Sequence, residues 1–322
     1  MKCETIRVVS FDPNIILKDR KMDRTIEFII EPGQENMTVL NFLRQKGLSR
    51  SILVRMKEFP GAILQNGHRA YGKAILRQGD LLTVHIPETE LSEKIVPVKM
   101  DLDICYEDED LLLVNKAAAM PVHPSVGHYE NTLSNGIMYY YQQKGQPFVF
   151  RCINRLDRDT TGLLILAKNP YSAAILNQQM VHRQIHRTYL AVVSGRLPQS
   201  GTIRAPIRRC PGSTIEREVD YENGEEAVTH FRCLAFRDGY SLAQLCLETG
   251  RTHQIRVHMK HIGHPLPGDF LYHPDYRCFS RQPLHSWKLD FKHPCTGVPM
   301  HFTAPVPEDI FIRFPDADPD GL

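Results

Sequence analysis

The sequence predicts an α+β protein built in two parts. Three observations carry that reading. Beyond Asp101, strand-like and helix-like runs follow one another without the regular strand–helix rhythm of a doubly wound sheet. Ahead of it, residues 37–86 read as two short capped helices and a small hairpin. Between them, residues 87–100 (PETELSEKIVPVKM) are polar and proline-bearing, as linkers are. The expected layout is a small N-terminal α/β domain at 1–86, the linker, and a larger domain at 101–322. The larger domain has a mainly antiparallel or mixed central sheet flanked by helices.

Each element has a local reason. Ile6, Val8 and Val9, then Thr25, Ile26, Phe28, Ile29 and Ile30, read as short strands. Thr38 caps a helix carrying Leu40 and Leu43 on one face, closed by Gly47. Ser49 caps a second, with Ile52, Leu53 and Met56 inward, and Pro60-Gly61 stops it. AILQNG is a strand ending in an Asn66-Gly67 turn, and after Gly79-Asp80 LLTVHI is a further strand. Further on, Ile104–Tyr106 and Leu111–Val114 make a hairpin about a turn at Glu107–Asp110. Strands are expected at Gly162–Ala167, Thr188–Ser194, Val228–Cys233, Leu242–Glu248 and His285–Phe291. Helices are expected at Pro170–Arg183, capped by Asn169, and at Thr252–Ile262, capped by Thr252.

Composition excludes several classes. Apolar residues are 42% and charged residues 24%, ordinary for a globular protein. The longest apolar runs fall short of the ~18 residues a membrane helix needs, and no secretory signal is expected at the N-terminus. The eight cysteines (Cys3, Cys105, Cys152, Cys210, Cys233, Cys246, Cys278 and Cys295) form no CxxC pair, which argues for reduced thiols in the cytoplasm. Net charge is +2, yet Thr160 to Ile215 holds no Asp or Glu. That stretch carries Lys168, Arg183, Arg187, Arg196, Arg204, Arg208 and Arg209, a surface suited to a phosphate backbone or simply to water.

The chemistry concentrates in INRLDRDTTGLLILAKN (153–169). Arg155, Asp157, Arg158, Asp159, Thr160 and Thr161 precede an apolar strand, so the loop sits at a strand mouth, where scaffolds present reactive groups. Arginines on either side favour the ionised form of Asp157, which can then attack an electrophilic carbon or take a proton. A plain Arg–Asp surface loop is the alternative. A second segment, LETGRTHQIRVHMKHIGHPLPGD (247–269), clusters His253, His258, His261 and His264. It contains no HExxH, and the histidines lack clean i, i+4 spacing, so no metal is expected. A third segment, HRTYLAVVSG (186–195), places Tyr189 in a strand.

Together these segments resemble the RluA/RluD family of RNA pseudouridine synthases. NRLDRDTTGLLIL resembles the family's HRLDxxTSGLLL, LETGRTHQIRVH its ETGRTHQIRVH, and HRTYLAVVSG its basic-x-Tyr strand. DEDLLLVNKAAAMPVHPS, GEEAVTHFRCL and RQPLHSWKLDFKHPCTG resemble its remaining motifs in the family's order. Asn154, Thr161 and Ser286 stand for the usual His, Ser and Ala, and Ala117 and Ala119 for Pro and Gly. The resemblance spans about residues 101–305. It implies that Asp157 is the catalytic aspartate, Arg256 its basic partner, and Tyr189 the active-site tyrosine, whose ring stacks on the everted base and whose hydroxyl can share in proton removal. It also implies that Arg155 helps to evert the uridine, and that Arg251, His253 and Thr160 contact substrate or shape the loop.

The implied enzyme is an isomerase, an intramolecular transferase, that needs no cofactor and works on structured RNA, large-subunit ribosomal RNA first and transfer RNA as the alternative. It is expected to act as a monomer and to have no DNA or membrane partner. Whether Asp157 bonds to the sugar or takes a sugar proton to give a glycal stays open. Residues 37–86 resemble the alpha-L RNA-binding fold of a small-subunit ribosomal protein, with Arg44, Lys46, Arg50, Arg55 and Lys57 on its helical part. The rivals are a catalytically silent RNA-binding protein on the same fold and a metal-dependent hydrolase built on the histidines.

Overall fold

The computed structural model describes residues 24–88, 92, 94–125 and 129–315. The expected strand at Ile6–Val9 lies outside the described residues. In chain order the elements are β1 (Arg24–Ile29), α1 (Val39–Gln45), α2 (Arg50–Met56), β2 (Ile63–Gln65), β3 (His68–Arg69), β4 (Leu81–Ile86), β5 (Asp103–Glu107), β6 (Leu111–Lys116), α3 (Leu133–Gln143), β7 (Thr161–Ala167), α4 (Pro170–Val181), β8 (His186–Ser194), β9 (Ser200–Arg204), β10 (Ile207–Arg209), β11 (Arg217–Val219), β12 (Val228–Arg237), β13 (Tyr240–Leu247), α5 (Gln254–His261), β14 (Leu284–Lys292), β15 (Pro299–Thr303) and α6 (Glu308–Phe311). The fold is α+β.

The first part is a four-stranded antiparallel sheet in the order β1-β4-β2-β3, covered by α1 and α2. The Thr38 and Ser49 side chains accept hydrogen bonds from the Asn41 and Ile52 amides, which caps both helices. Val39, Phe42 and Leu43 face the core, while Leu40 is only partly covered. Asn66 and Gly67 both take left-handed backbone angles in the turn between β2 and β3.

The second part is a nine-stranded mixed sheet in the order β5-β6-β7-β14-β8-β13-β12-β9, with β15 paired to β14. Among the described residues, only β7 and β14 run parallel. β7 is buried at every position: Leu164 and Leu166 face one cluster, Leu163 and Ile165 the other. Burial on both faces is why TGLLILA reads as an unbroken apolar run. Gly162 has φ +107, and a Cβ there would collide with the Ser286 backbone. The parallel β7–β14 junction therefore requires glycine at the point where the Asp157 loop enters the sheet.

α4 is a wall common to both parts. Ala173, Leu176 and Met180 pack on the large sheet, while Tyr171, Ala174 and Ile175 join the core of the first part. The Tyr171 hydroxyl donates to the Lys46 carbonyl, and Arg24 binds Asp110 through two hydrogen bonds of 2.9 and 2.8 Å.

Three expectations need correcting. The helix after β7 stops at Val181, because Arg183 turns left-handed with φ +56. Thr252 does not cap α5. His253 is the N-cap, in a left-handed conformation with no side-chain cap, and the Gln254 side chain instead accepts from the Arg251 amide and the Thr249 hydroxyl. Helix α3 was not expected from LSNGIMYYYQQ. It is held by a Thr132–Asn135 capping box, and the missing Cβ of Gly136 lets Met100 and Leu102 approach.

Candidate active site

A cavity of about 480 Å³ opens where the Asp157 loop meets α5 and β8. That is within the usual range for a small-molecule site. All seven residues singled out from the sequence, Asp157, Tyr189, Arg256, Arg155, Arg251, His253 and Thr160, line it. Residues about 100 positions apart in the chain are thus brought to one place.

Asp157 is partly exposed, and its Oδ2 accepts a 2.8 Å hydrogen bond from Arg256 Nη1. The Arg256 guanidinium is 1% exposed and also donates from Nε and Nη2 to Asp269 at 2.7 and 2.8 Å. Asp269 is fully buried and further accepts from the Leu271 and Tyr272 amides. Two carboxylates thus share one guanidinium, and the trio carries one net negative charge. The rings of Tyr272 and Phe270 lie 5.0 and 5.5 Å from the guanidinium carbon. The neighbours in sequence do not supply Asp157's counter-charge: Arg158 pairs with Asp159 at 2.8 Å, and Arg155 is exposed on the cavity wall. The cation comes from α5 because the loop's backbone turns Arg158 away.

That backbone is fixed from below. The Thr160 amide donates to the Asp157 carbonyl, closing the turn. Lys116, 2% exposed, donates to the carbonyls of Ala117, Met120 and Arg158. Burial pushes its pKa down to about 7, against the pull of Asp159 and Asp157. Asn154 bridges to β7, accepting from the Ile165 amide and donating to the Leu163 carbonyl. Asn154 thus ties the loop to the strand that follows it. Ala119 has φ +56, a left-handed angle at the position where the resemblance expects glycine.

Tyr189 is 5% exposed with its ring on the cavity wall. Burial raises its pKa, so in the resting site it is a neutral phenol, which would have to lose its own proton before taking another. His253 hydrogen-bonds the Tyr272 hydroxyl through Nδ1, and its Nε2 is 3.9 Å from Asp157. Burial lowers its pKa, which favours the neutral ring. Arg251 reaches Glu225 at 2.5 Å and the Glu226 carbonyl, tying the cavity rim to the chain before β12. Thr160 is buried, and its hydroxyl has no protein partner. Sequence reasoning gave no site role to His123, which packs edge-on to Phe150, or to Arg187, the basic residue two ahead of Tyr189; both line the cavity. The alternation of a strand, which puts residues 187 and 189 on one face, could have signalled the second.

The histidines of the second segment have separate partners. His258 bridges Thr229 and the Ala205 carbonyl, and His264 meets the Ser194 carbonyl. Among the described residues, the grouping close enough to share an ion is Asp108, Asp110 and His293. None of these lines the cavity, and Arg24, Tyr106, Asn169 and Ser172 engage the two carboxylates. No helix among the described residues is long and apolar enough to cross a membrane.

Comparison with known proteins agrees with this geometry. Residues 110–261 match the family described as RNA pseudouridylate synthase. The chain is 42% identical over 275 residues to the uncharacterised RNA pseudouridine synthase YjbO of Bacillus subtilis, covering 85% of this chain and 97% of that protein. It is 33% identical over 305 residues to ribosomal large subunit pseudouridine synthase D of Neisseria meningitidis serogroup A, covering 91% of this chain and 81% of that one. The solved structure of human RNA pseudouridylate synthase domain containing 1 aligns with a TM-score of 0.54 at 28% identity, over 64% of this chain and 83% of that one. The fold is that of an RNA-modifying isomerase. The chain belongs to the RNA pseudouridine synthase family, enzymes that convert uridine in RNA to pseudouridine.

Proposed function

We propose that this protein isomerises uridines of large-subunit ribosomal RNA, with Asp157 as the carboxylate that promotes departure of uracil from the ribose. The observation that carries this reading is the pair of Asp157 with Arg256 at 2.8 Å, on the wall of a cavity that Tyr189 also lines. A buried guanidinium keeps the carboxylate charged at low cost, and the cavity accepts a nucleotide swung out of its helix. Tyr189 supplies a ring for the everted base, and exposed Arg155 a cation for the gap left behind. The ribosomal target is supported by the similarity to ribosomal large subunit pseudouridine synthase D.

Residues 1–86 act as the RNA-binding domain, 87–100 as the linker and 101–322 as the catalytic domain. Exposed Arg44, Arg50 and Lys57 lie on or beside α1 and α2, and no acidic residue occupies the first turn of either helix. A groove between α2 and α4, lined by Ser49, Arg55, Asn177 and His182, offers polar and basic side chains to an RNA backbone. The protein works as a monomer in the cytoplasm.

The test is Asp157→Asn on large-subunit ribosomal RNA labelled with tritium at uracil C5. Tritium release falls to background while RNA binding and the unfolding midpoint hold. Release at the wild-type rate would end the assignment. Mapping pseudouridines in total RNA of a deletion strain names the position.

A further inference from the structure

Arg187 is a buried cation with no counter-ion of its own. It is 8% exposed and lines the catalytic cavity. Its Nε has no hydrogen-bond partner, and Nη2 meets only the Thr249 carbonyl at 3.3 Å. Among the described residues, no carboxylate lies within ion-pair distance of it. The other buried arginine of the cavity among the described residues, Arg256, is neutralised by two aspartates. A buried, unpaired guanidinium is costly, and a fold keeps one where an anion or a partial negative charge comes to meet it.

Its place indicates which charge. Arg187 and Tyr189 alternate on β8 and so face the same side, toward the wall against which the base lies. Burial raises the Tyr189 pKa, and Arg187 is the charge that most opposes that rise, so the two side chains sit close together. A Cβ on Gly250 would come 2.9 Å from Arg187 Nη1, so the glycine of GRTH makes room for the guanidinium beside the cavity. A phosphate would stay at the exposed rim with Arg155, because burying it costs far more than burying a planar base.

We infer that Arg187 binds the carbonyl edge of the everted uracil and holds the negative charge that the base acquires when it leaves the ribose. This rests on the function proposed above. The C1′–N1 bond breaks with its electron pair going to N1, leaving a uracil anion whose charge spreads over N1, O2 and O4. After the base turns, C5 bonds to C1′ as Asp157 leaves C1′ or returns its proton to C2′ and so regains its charge; the C5 proton is lost and N1 gains one, so the product is neutral. Asp157, Arg256 and Asp269 sum to −1 in the resting site, and as Asp157 bonds to the sugar or takes its proton that charge passes to the departing base. Arg187 brings the resting sum to zero, and without it the charge on the departing base is uncompensated.

The experiment compares Arg187→Met and Arg187→Lys with wild type in single turnover. The substrates are large-subunit ribosomal RNA transcribed with uridine and the same RNA transcribed with 5-fluorouridine. Fluorine withdraws electrons and stabilises the base anion by itself, so loss of 5-fluorouridine, read by mass after nuclease digestion, needs the cation less. Arg187→Met slows uridine cleavage about 100-fold, Arg187→Lys about 10-fold, and the Met defect on 5-fluorouridine is about 10-fold smaller. Equal slowing on both RNAs, or a defect confined to RNA affinity, overturns the role of Arg187. If Arg187→Met fails to fold, the same ratio is read from Arg187→Lys, where equal slowing again overturns it. A wild type that makes no pseudouridine in this RNA would instead remove the function proposed above.

Discussion

At the scale of single residues, Arg256 carries most of the site's order. Its planar fork reaches Asp157 with one nitrogen and Asp269 with two, which a lysine ammonium cannot do at once. Arg256→Met is expected to leave two carboxylates without their cation, one of them fully buried. The loss should be about 3–5 kcal/mol in a urea titration, together with loss of tritium release. Arg256→Lys should recover part of the stability and little of the activity. A variant as stable and active as wild type would show that Asp157 needs no partner. Other small departures sit close by. Ala119 holds a left-handed angle without being glycine, and His253 does so at the head of α5, local strain of the kind that collects at functional sites.

At the scale of elements, the joint between β7 and β14 decides where the loop of Asp157 begins. Thr161 pairs with His285 there, and the Thr161 hydroxyl meets His285 Nδ1 at 2.8 Å. His285 is 1% exposed, and burial, with Arg281 nearby, lowers its pKa to about 4. The folded state therefore binds this proton less readily than the unfolded chain, whose histidine titrates near 6.5. Stability from this group is full above pH ~6.5 and is lost as pH falls toward about 4, by about 2 kcal/mol at pH ~4.5. His285→Asn should thus be less stable than wild type at neutral pH, and the gap should narrow by that amount in acid. A gap constant across pH, measured by denaturant midpoints, would show that His285 does not titrate in this range. The consequence reaches the site, because a joint loosened in acid frees the loop that carries Asp157.

At the scale of the whole molecule, α4 makes one body of two. The first part leans on Tyr171, Ala174 and Ile175, and Arg24 pins β1 to Asp110. Arg44 and Arg50 are exposed on α1 and α2, and α2 lines a groove with α4. RNA affinity should fall steeply with salt, since each phosphate contact releases a counterion. Arg44→Glu with Arg50→Glu should raise KM for ribosomal RNA about 10-fold and flatten the salt slope by about two. An unchanged slope in filter-binding titrations would remove α1 and α2 from the RNA path.

The sequence alone determined the α+β class and most strand positions, and it pointed to residues that the fold brings into one cavity. Thr38 and Ser49 cap as their side chains require, and the apolar run at 163–167 and the alternation at 188–194 fix two central strands, because capping and side-chain period act within a few residues. Asp157, Arg256 and Tyr189 were legible through resemblance to a family, not through charge, since Arg158 beside Asp157 pairs with Asp159 and Arg155 is exposed on the cavity wall. Tertiary structure decided what depends on distant chain segments. It formed α3 against Met100 and Leu102, began α5 at a left-handed His253 rather than at Thr252, joined β7 to β14 in parallel, and left Arg187 buried without an acid. Burial and ion pairing are sums over neighbours that sequence spacing does not give, so the charges that govern this cavity became readable only once the sheet had closed around it.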